Sequence, residues 1–369
     1  MVKGEEKLST GILSLLSIVV PTYNRQKFAI RQMNYWREFS AQLIILDGSE
    51  LPISKNYIDS LPVNITYYHM PIPLEERLFK STELVKTKYA MLLGDDEFYI
   101  PSAVNECIHE LEEDIDIVSC MGLAARFRTA PNNKVLGSEI YKRLLGYKVD
   151  QNSASERISY HMGNYVCSSI YGVLRANVWK NNMLLISDTI FTAPVITELQ
   201  FELGTCIQGK SKVINKLMWL RNGENPPVST KNWNRDIDFL VWYKNKIYKD
   251  ELKALIGTFL RHFPDQIQEK NLSKAFQLHF EFLLKRRGGG ASNIAKKVFI
   301  NYPRKVIIYL LPSYLINKLR DILSYLRYYF NSELELHDIT LKEMFKGDRV
   351  DVNSLIKIEN IINNKIIKK

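Results

Sequence analysis

The chain has 369 residues, which exceeds one average domain and fits one large domain with an appendage. Its 46% hydrophobic and 24% charged residues are the composition of an ordinary globular protein. A formal net charge of +10 and a pI of about 9.2 predict a surface that attracts polyanions, such as nucleic acid, phosphorylated substrates or an acidic membrane leaflet. Charge alone does not choose among these partners.

The cysteines and the apolar segments exclude several classes of protein. The four cysteines stand far apart with no C-x-x-C pair, so neither a zinc site nor a disulfide framework is indicated, and a reducing cytoplasm fits. The apolar run Ile12–Val20 is followed by Pro-Thr-Tyr-Asn-Arg instead of a small-residue cleavage site, so we interpret it as a buried strand. The longest other apolar run, Val306–Ile316, is about half of the roughly 18 to 20 residues that a transmembrane helix needs. We therefore expect no spanning helix.

Short apolar runs alternate with amphipathic segments through the first half of the chain. The strand candidates are Leu15–Val20, Leu43–Leu46, Ile65–His69, Tyr89–Leu93 and Ile115–Ser119. The helix-length segments between them are Lys27–Phe39, Leu74–Lys86 and Ser102–Glu112. This alternation predicts an α/β domain with a mainly parallel sheet covered by helices. In such sheets ligands bind beyond the carboxyl ends of the strands.

The second half of the chain changes in character. Residues 236–287 are predicted to be helical, and Lys285–Gly290 is typical of a helix end followed by a flexible hinge. From Lys285 to Lys369 there are 17 Lys and Arg against 8 Asp and Glu, so this last quarter carries most of the net charge. In Asn317–Phe330 apolar residues recur at helical spacing. This segment either packs on the main domain or, given its many tyrosines among cations, binds at a membrane interface.

Three apolar runs end in polar residues that are hard to explain by packing alone. The first run ends in Pro-Thr-Tyr-Asn-Arg at residues 21–25, and the second ends at Asp47. The third ends in Gly94-Asp95-Asp96-Glu97, three consecutive acids directly after a predicted buried strand. Acids at a strand end are common turn formers. Three in a row repel one another unless they are solvated or a cation neutralises them, and their oxygens suit Mg²⁺ or Mn²⁺, which would in turn bind a diphosphate.

Taken in order, these motifs resemble those of the inverting, family-2-type glycosyltransferases of the GT-A fold, in particular a bacterial branch with a Gly-Asp-Asp-Glu/Asp-Phe (GDDEF-type) metal motif. The matching motifs are Pro-Thr-Tyr-Asn-Arg, Ile-Ile-Leu-Asp-Gly-Ser, an arginine-bearing helix, Lys-Tyr-Ala-Met-Leu-Leu-Gly-Asp-Asp-Glu-Phe and Tyr-Gly-Val-Leu-Arg. The resemblance implies a GT-A domain, Rossmann-like with a mainly parallel sheet, over residues 14–225. A helical segment at 226–287 and a basic amphipathic C-terminal extension at 288–369 would follow it.

The resemblance also implies roles for residues near the first two strand ends. Pro21, Thr22 and Tyr23 are expected to line the base pocket, and Arg25 of the same motif is counted among the nucleotide-binding residues. Asp47 is expected to hydrogen-bond the base or the ribose.

Further roles are implied for the acidic motif and a cation upstream of it. Asp96 is the expected metal ligand, and Asp95 is expected to contact the ribose, the metal or metal-bound water. Gly94 stands where the family usually has an acid. Arg77 falls near a family arginine that faces the nucleotide, and Lys80 is the alternative.

Inverting transfer requires a general base that takes the proton of the acceptor hydroxyl. By resemblance Glu198 is the first candidate and Asp188 the second, although the family's usual Glu-Asp pair reads Thr197-Glu198 here. A solvated glutamate at a helix start is the ordinary alternative. Arg221 is predicted to lie in a loop that closes over the diphosphate, and a plain surface turn fits the sequence as well.

The sequence therefore predicts a metal-dependent inverting glycosyltransferase of bacterial surface polysaccharide or lipooligosaccharide assembly. Its expected cofactor is Mn²⁺ or Mg²⁺, and its expected donor is a nucleoside-diphosphate sugar, with UDP as the first choice. The expected partners are a saccharide or lipid-linked saccharide acceptor and an anionic membrane surface at the cytoplasmic face of the inner membrane, and not nucleic acid. A nucleotidyltransferase and a non-catalytic, membrane-associated nucleotide-binding protein are the alternatives.

Overall fold

The computed structural model describes residues 11–129, 135–223, 237–286, 339–340 and 349–363. These residues form a mixed α/β structure in which one sheet lies between layers of helices. The strands are β1 (Leu16–Thr22), β2 (Gln42–Asp47), β3 (Ile65–His69), β4 (Tyr89–Leu92), β5 (Phe98–Tyr99), β6 (Ile117–Thr129), β7 (Val135–Ile140), β8 (Lys148–Val149), β9 (Val173–Arg175), β10 (Lys210–Asn222) and β11 (Ile339–Thr340).

The α-helices follow the same chain order. They are α1 (Gln26–Trp36), α2 (Lys55–Ile58), α3 (Leu74–Leu84), α4 (Pro101–Glu113), α5 (Ala154–Gly163), α6 (Ala176–Asp188), α7 (Pro194–Gln208), α8 (Phe239–Lys244), α9 (Lys249–His262), α10 (Glu269–Arg286) and α11 (Val352–Asn363). The predicted strands and helices of the first half are confirmed, with ends that shift by a few residues except that β6 continues for ten residues beyond Ser119. The predicted helical character after residue 236 is also confirmed.

The sheet is parallel in the half that contains its first four strands. Its order along the main path is β11-β7-β6-β9-β4-β1-β2-β3, and strands β4, β1, β2 and β3 are all parallel. Strand β9 is antiparallel to both of its neighbours, β4 and β6. The long strand β10 runs parallel to β6 and also pairs with β5 and β8.

Both faces of the sheet are buried, which explains why the first strands read as continuous apolar runs. Side chains alternate between the faces, so Ile18 and Val20 of β1 join one hydrophobic cluster and Val19 joins the other. Helices α1 and α4 cover the first face, and α3 and α6 cover the second. The arrangement fixes the register of each strand, because a shift by one residue would exchange the two faces.

The carboxyl ends of β1, β2 and β4 lie side by side. Thr22 is the register partner of Asp47, and the Gly48 amide donates to the Thr22 carbonyl at 2.9 Å. The Leu93 amide donates to the Val19 carbonyl at 3.0 Å, which places the acids after β4 next to the end of β1. The three polar strand ends singled out in the sequence therefore meet at one edge of the sheet.

Described parts of the C-terminal extension pack on the domain. Helix α11 buries Leu355 and Ile358 completely in the cluster that contains the α1 side chains, and β11 pairs with β7. Residues Leu272 and Phe276 of α10 belong to the same cluster. The amphipathic segment Asn317–Phe330 lies outside the described residues. Among the residues that are described, no helix is long and apolar enough to cross a membrane.

Candidate active site

The acidic residues after β4 are held by an arginine from the first motif. An Nη2 atom of Arg25 lies 2.9 Å from Asp95 Oδ1 and 2.5 Å from Asp96 Oδ2. The Thr22 hydroxyl donates to the other oxygen of Asp95 at 2.8 Å. Side-chain exposure is 15% for Arg25 and 8% and 14% for the two aspartates, so the ion pairs are shielded from solvent. We call these residues, with Asp47 at the neighbouring strand end, the acid edge.

Glu97, the third acid of the motif, has a different hydrogen-bonding partner. Glu97 is buried, and its Oε2 atom accepts a hydrogen bond from the Trp219 indole at 2.8 Å. A Cβ atom at Gly94 would lie 2.9 Å from the Glu97 carboxyl carbon, so a side chain at this position, where the resembled family has an acid, would displace the Glu97 carboxyl group. Glu97 therefore does not share the Arg25 contact of Asp95 and Asp96, the two acids expected at the metal. In the described ranges no group of three or more His, Cys, Asp or Glu residues could hold a metal.

Burial changes the proton affinity of two of these acids. It raises the pKa of Asp95 to about 6, against the opposing effects of Arg25 and Thr22. It raises the pKa of Glu97 to about 7, although Arg221 and the Trp219 hydrogen bond favour the ionised form. Both carboxyl groups therefore lose their protons at a higher pH than a solvated carboxyl group does.

The expected base pocket lies at the ends of β1 and β2. Pro21 and Thr22 are the last residues of β1, and Tyr23 directly after them has 43% of its surface exposed. An exposed aromatic ring beside a strand end is a suitable surface for stacking a planar base. Asp47 is completely buried at the end of β2, directly beside Thr22 in register.

Three hydrogen-bond donors hold the Asp47 carboxylate in place. Its Oδ1 atom accepts from the Ser49 amide at 2.9 Å, and its Oδ2 atom accepts from the Gln26 amide group at 2.8 Å and the Tyr67 hydroxyl at 2.7 Å. Burial alone would raise the pKa of Asp47, but these hydrogen bonds together hold it below its ordinary value. Asp47 is therefore a preformed carboxylate acceptor.

Arg77 stabilises the backbone at the ends of β1 and β2. Its Nη1 atom donates to the Thr22 and Leu46 carbonyls, both at 2.7 Å, and only 4% of the residue is exposed. A Cβ atom at Gly48 would lie 2.6 Å from the guanidinium carbon, so this approach needs glycine. Arg77 thus ties the ends of β1 and β2 together, while Lys80, the alternative cation, is exposed on α3.

A cleft of about 860 Å³ is lined in part by Arg221, the ion-pair partner of Glu97. Strands β6, β7 and β10, the loop before β9, helix α7 and the end of α10 supply its walls. It is lined by Arg126, Gly137, Ser138, Glu139, Ile140, Tyr141, Lys142, Arg143, Tyr165, Val166, Cys167, Glu198, Arg221 and Arg286. We call it the cationic cleft, because arginine and lysine predominate among its charged residues.

Glu198, the first candidate for the base, lies in this cleft. It is in the second turn of α7, and its Oε1 atom accepts a very short hydrogen bond from the Tyr165 hydroxyl. Burial raises the pKa of Glu198, and the nearby Glu202 adds to this effect, while Tyr165 opposes it. A carboxyl group with a raised pKa in a cleft has the properties of a general base.

A buried network that the sequence analysis missed lies beneath Glu198. Glu202, one helical turn further along α7, is fully buried and accepts from the Ser169 and Ile170 amides, each at 2.9 Å. His161 Nε2 lies 3.3 Å from the Glu202 carboxylate, and the Tyr147 hydroxyl lies 2.7 Å from His161 Nδ1. In the sequence, the four-residue spacing of Glu198 and Glu202 indicates that both side chains lie on one face of a helix.

The hydrogen bonds of Glu202 position nearby residues that line the cleft. Burial alone would raise the pKa of Glu202, but the hydrogen bonds from His161 and the backbone hold it below its ordinary value. The loop that it fixes begins just after Tyr165 and Val166, which line the cleft. Glu202 therefore anchors the segment that delivers the Tyr165 hydroxyl to Glu198.

Asp188, the second candidate for the base, lies apart from the cleft. It is the last residue of α6 and forms an ion pair with Arg261 at 2.5 Å, with His262 Nε2 at 3.6 Å. The hydrogen bond from Arg261 lowers the pKa of Asp188. Its contacts tie α6 to α9 and give it a structural role.

Arg221 is a strand residue, and the prediction that it belongs to a loop is wrong. It lies in β10, where pairing with β6 places it beside Arg126. Its Nη1 atom donates to the Tyr141 hydroxyl at 2.8 Å, and its Nε atom lies 3.9 Å from Glu97 Oε1. Because Arg221 also lines the cleft, its pair with Glu97 links the cationic cleft to the residue that directly follows Asp96 in the chain.

Comparison with known proteins adds solved structures of low similarity. A structure of Staphylococcus aureus TarS has a TM-score of 0.44 and 14% identity, over 75% of this chain and 44% of that one, so the chain spans less than half of the TarS length. TarS 1–349 in complex with UDP-GlcNAc has a TM-score of 0.47 and 12% identity, over 75% and 74% of the two chains. TarS 1–349 in complex with UDP has a TM-score of 0.39 and 13% identity, over 74% and 91%. Similarity at this level assigns no function.

No family model matches the chain, and no curated protein matches it significantly.

Proposed function

We propose that the protein is an inverting glycosyltransferase of the GT-A type that transfers a sugar from a nucleoside-diphosphate sugar, with UDP as the first candidate, to an acceptor hydroxyl. The observation that carries this proposal is the joining of two sites. A preformed carboxylate and an exposed aromatic ring lie at the carboxyl edge of a parallel sheet, and a cleft with a buried carboxyl group adjoins them through the Glu97–Arg221 pair.

In the proposed reaction Glu198 removes the proton of the acceptor hydroxyl. The freed oxygen forms a bond to the anomeric carbon as the bond from that carbon to the diphosphate oxygen breaks, and the diphosphate leaves with the electron pair. Arg221 lines the cleft on the side of Glu97, and its guanidinium would stabilise the charge on the departing diphosphate. Tyr165 holds the Glu198 carboxylate in place.

Asp95 and Asp96 fit a divalent cation as a pair. Both carboxylates already converge on one positive charge, that of Arg25. Mg²⁺ and comparable ions are commonly held by one or two carboxylates together with substrate phosphates and water, so two acids suffice. Bound there, Mn²⁺ or Mg²⁺ would supply positive charge for the leaving diphosphate. Since Arg25 occupies the same side of both acids, it would have to give way to the ion.

The setting of the reaction is part of the proposal. The surplus of 17 basic over 8 acidic residues from Lys285 onwards supports a peripheral site on an anionic membrane, where surface polysaccharide or lipooligosaccharide is assembled. Deletion of 296–330 tests this, provided that 349–363, which include the buried face of α11, are retained. The full chain should sediment with anionic liposomes at low salt and the deletion variant should not. Absence of sedimentation by the full chain contradicts the proposal.

The central experiment is a thermal-shift screen of nucleoside diphosphates and their sugars, with and without Mn²⁺. A ligand that binds only the folded state raises the apparent melting temperature. We expect UDP or a UDP-sugar to raise it, and Mn²⁺ to increase the shift. The matched variant is Tyr23→Ala, which removes an exposed ring without opening the core and should reduce the shift. A chain that responds to none of the nucleotides is not a nucleotide-sugar transferase.

A further inference from the structure

The cationic cleft holds more positive charge than transfer to a neutral sugar requires. Five of its residues are cations and only two are acids. The cations are Arg126, Lys142, Arg143, Arg221 and Arg286, and the acids are Glu139 and Glu198. Side chains of like charge that face one cleft repel one another, and an anion bound in the cleft would relieve this repulsion.

The two acids leave most of this charge uncompensated. Glu139 is 3.9 Å from Lys142 at the surface, and Glu198 accepts a hydrogen bond from the Tyr165 hydroxyl inside the cleft. Within the part of the chain that the structure describes, no carboxylate forms an ion pair with Arg126, Arg143 or Arg286. The cleft therefore has a net positive charge.

Two of the cleft arginines, Arg143 and Arg286, lie over the same aromatic ring. The Arg143 and Arg286 guanidinium carbons lie 4.7 and 5.8 Å from the centre of the same ring, that of Phe282 on α10. Arg143 also donates to the Asn164 carbonyl at 3.0 Å, a neutral partner that fixes its direction without removing its charge. Both arginines line the cleft, and guanidinium groups bind phosphoryl groups through charge-assisted hydrogen bonds.

Arg221 and the acid edge already provide for the donor diphosphate, so the Arg143–Arg286 pair is left for the other substrate. We propose that the acceptor is a saccharide that carries a phosphoryl group, which Arg143 and Arg286 bind while the hydroxyl to be glycosylated lies beside Glu198. This inference rests on the proposed function and adds the chemical class of the acceptor. Arg126, beside Arg221 on the adjacent strand, contributes to the same positive field.

The phosphoryl group has two chemical sources. One is a phosphate on a sugar hydroxyl within a glycan, and the other is the anomeric phosphate through which a saccharide is attached to a lipid carrier. Glucose 6-phosphate represents the first source and glucose 1-phosphate the second, with glucose as the neutral reference. The three compounds share a ring, so a difference in binding reports the phosphate and its position.

The test is calorimetric binding of the three compounds to the full chain, in the presence and in the absence of saturating UDP. We expect at least one sugar phosphate to bind about tenfold or more tightly than glucose under both conditions, because charge-assisted hydrogen bonds exceed neutral ones by that order. The preference should weaken as salt is added. Equal binding of glucose and of both sugar phosphates overturns the inference.

Variants locate the site. Arg143→Gln combined with Arg286→Gln should abolish the preference for the sugar phosphate and leave the shift caused by UDP unchanged. Arg37→Gln, at an exposed arginine after α1, is the matched control and should have no effect. A double variant that keeps the preference overturns the assignment of these arginines. If UDP binds without any phosphate preference, only this inference fails, and if UDP does not bind, the proposed function fails.

Discussion

The acid edge and the cationic cleft are built in opposite ways. The acid edge joins residues that lie at or a few residues beyond the ends of strands, so short motifs in the sequence mark its side chains and the parallel register of β1, β2 and β4 places them. The cleft joins side chains from β6, β7, β10, α7 and α10, which are spread along the chain from Arg126 to Arg286. Under the proposed function, donor binding would depend on local sequence, whereas acceptor binding and proton removal would depend on tertiary packing.

The largest effect that we expect concerns the acid edge. Asp96→Ala should abolish transfer and the Mn²⁺-dependent part of UDP binding while the protein stays folded, since the charge of Asp96 faces Arg25 and not the apolar core. The measurements are transfer activity, UDP titration with and without Mn²⁺, and circular dichroism. Asp59→Ala, at an exposed acid after α2, is the control. Unchanged Mn²⁺-dependent affinity in Asp96→Ala would remove the metal from the proposal.

The next effect separates the cleft from the acid edge. Glu198→Gln should reduce kcat by about a hundredfold or more, the usual contribution of a general base, and leave UDP affinity near normal. Asp188→Asn should retain near-normal turnover, because Asp188 pairs with Arg261 outside the cleft. Steady-state kinetics and UDP titration of both variants provide the comparison. If the two outcomes are reversed, Asp188 is the base and the position of the acceptor must be revised.

A third prediction concerns the support beneath the cleft. Glu202→Gln should destabilise the fold by about 2 kcal/mol, because it weakens charge-assisted hydrogen bonds with backbone amides and His161 in a fully buried site. Denaturant unfolding measures this loss. We also expect a higher KM for the acceptor with unchanged UDP affinity, since the loop next to Tyr165 loses its anchor. A variant of wild-type stability would show that Glu202 is not the anchor of this loop.

A smaller effect is expected on the pH dependence of the reaction. Tyr165→Phe removes the hydrogen bond that lowers the pKa of Glu198, so that pKa should rise further. Because a general base acts only when it is deprotonated, activity should then be lost at a higher pH as the solution is acidified. The acid limb of the pH–kcat profile is the measurement, and Tyr160→Phe, at an exposed tyrosine on α5, is the control. An unmoved limb would separate Tyr165 from proton removal.

The smallest effect concerns stability at the junction of the two regions. The pKa of Glu97 is raised from 4.5 to about 7 in the folded protein, so the folded state binds its proton more tightly than the unfolded state does. Stability linked to Glu97 is therefore present below pH 4.5 and is lost as the pH rises towards 7. Glu97→Gln should flatten the fall in melting temperature across this range. An unchanged profile in the variant would show that Glu97 is ionised throughout.

The same contrast explains what the sequence could predict. The strand ends at Thr22, Asp47 and Asp95 were visible because apolar runs that stop at polar residues mark the edge of a parallel sheet. The burial of the Glu97 side chain cannot be predicted from the local sequence, because its partner Trp219 lies 122 residues away. Arg221 was predicted in a loop from the turn-forming residues after it, whereas pairing with β6 extends β10 as far as Asn222. Local composition does not reveal such long-range pairing.

The buried network under the cleft shows the same limit. His161, Glu202 and Tyr147 come from three separate elements, and no motif links them. The spacing of Glu198 and Glu202 by one helical turn indicates a shared face of α7, but the sequence does not show whether that face is solvated or buried. Only the packing of α5 and the loop before β9 against α7 decides this.

Strand β11 has a consequence for aggregation. It is antiparallel to β7, with Ile339 opposite Gly137 and Thr340 opposite Leu136, and so it occupies hydrogen-bonding groups at the end of the sheet. An uncovered edge strand is a template for pairing with another chain. A protein shortened to the residues that match the glycosyltransferase motifs would lose this cover at β7. Self-association of such a fragment at micromolar concentration would then reflect an exposed edge, and not a natural oligomer.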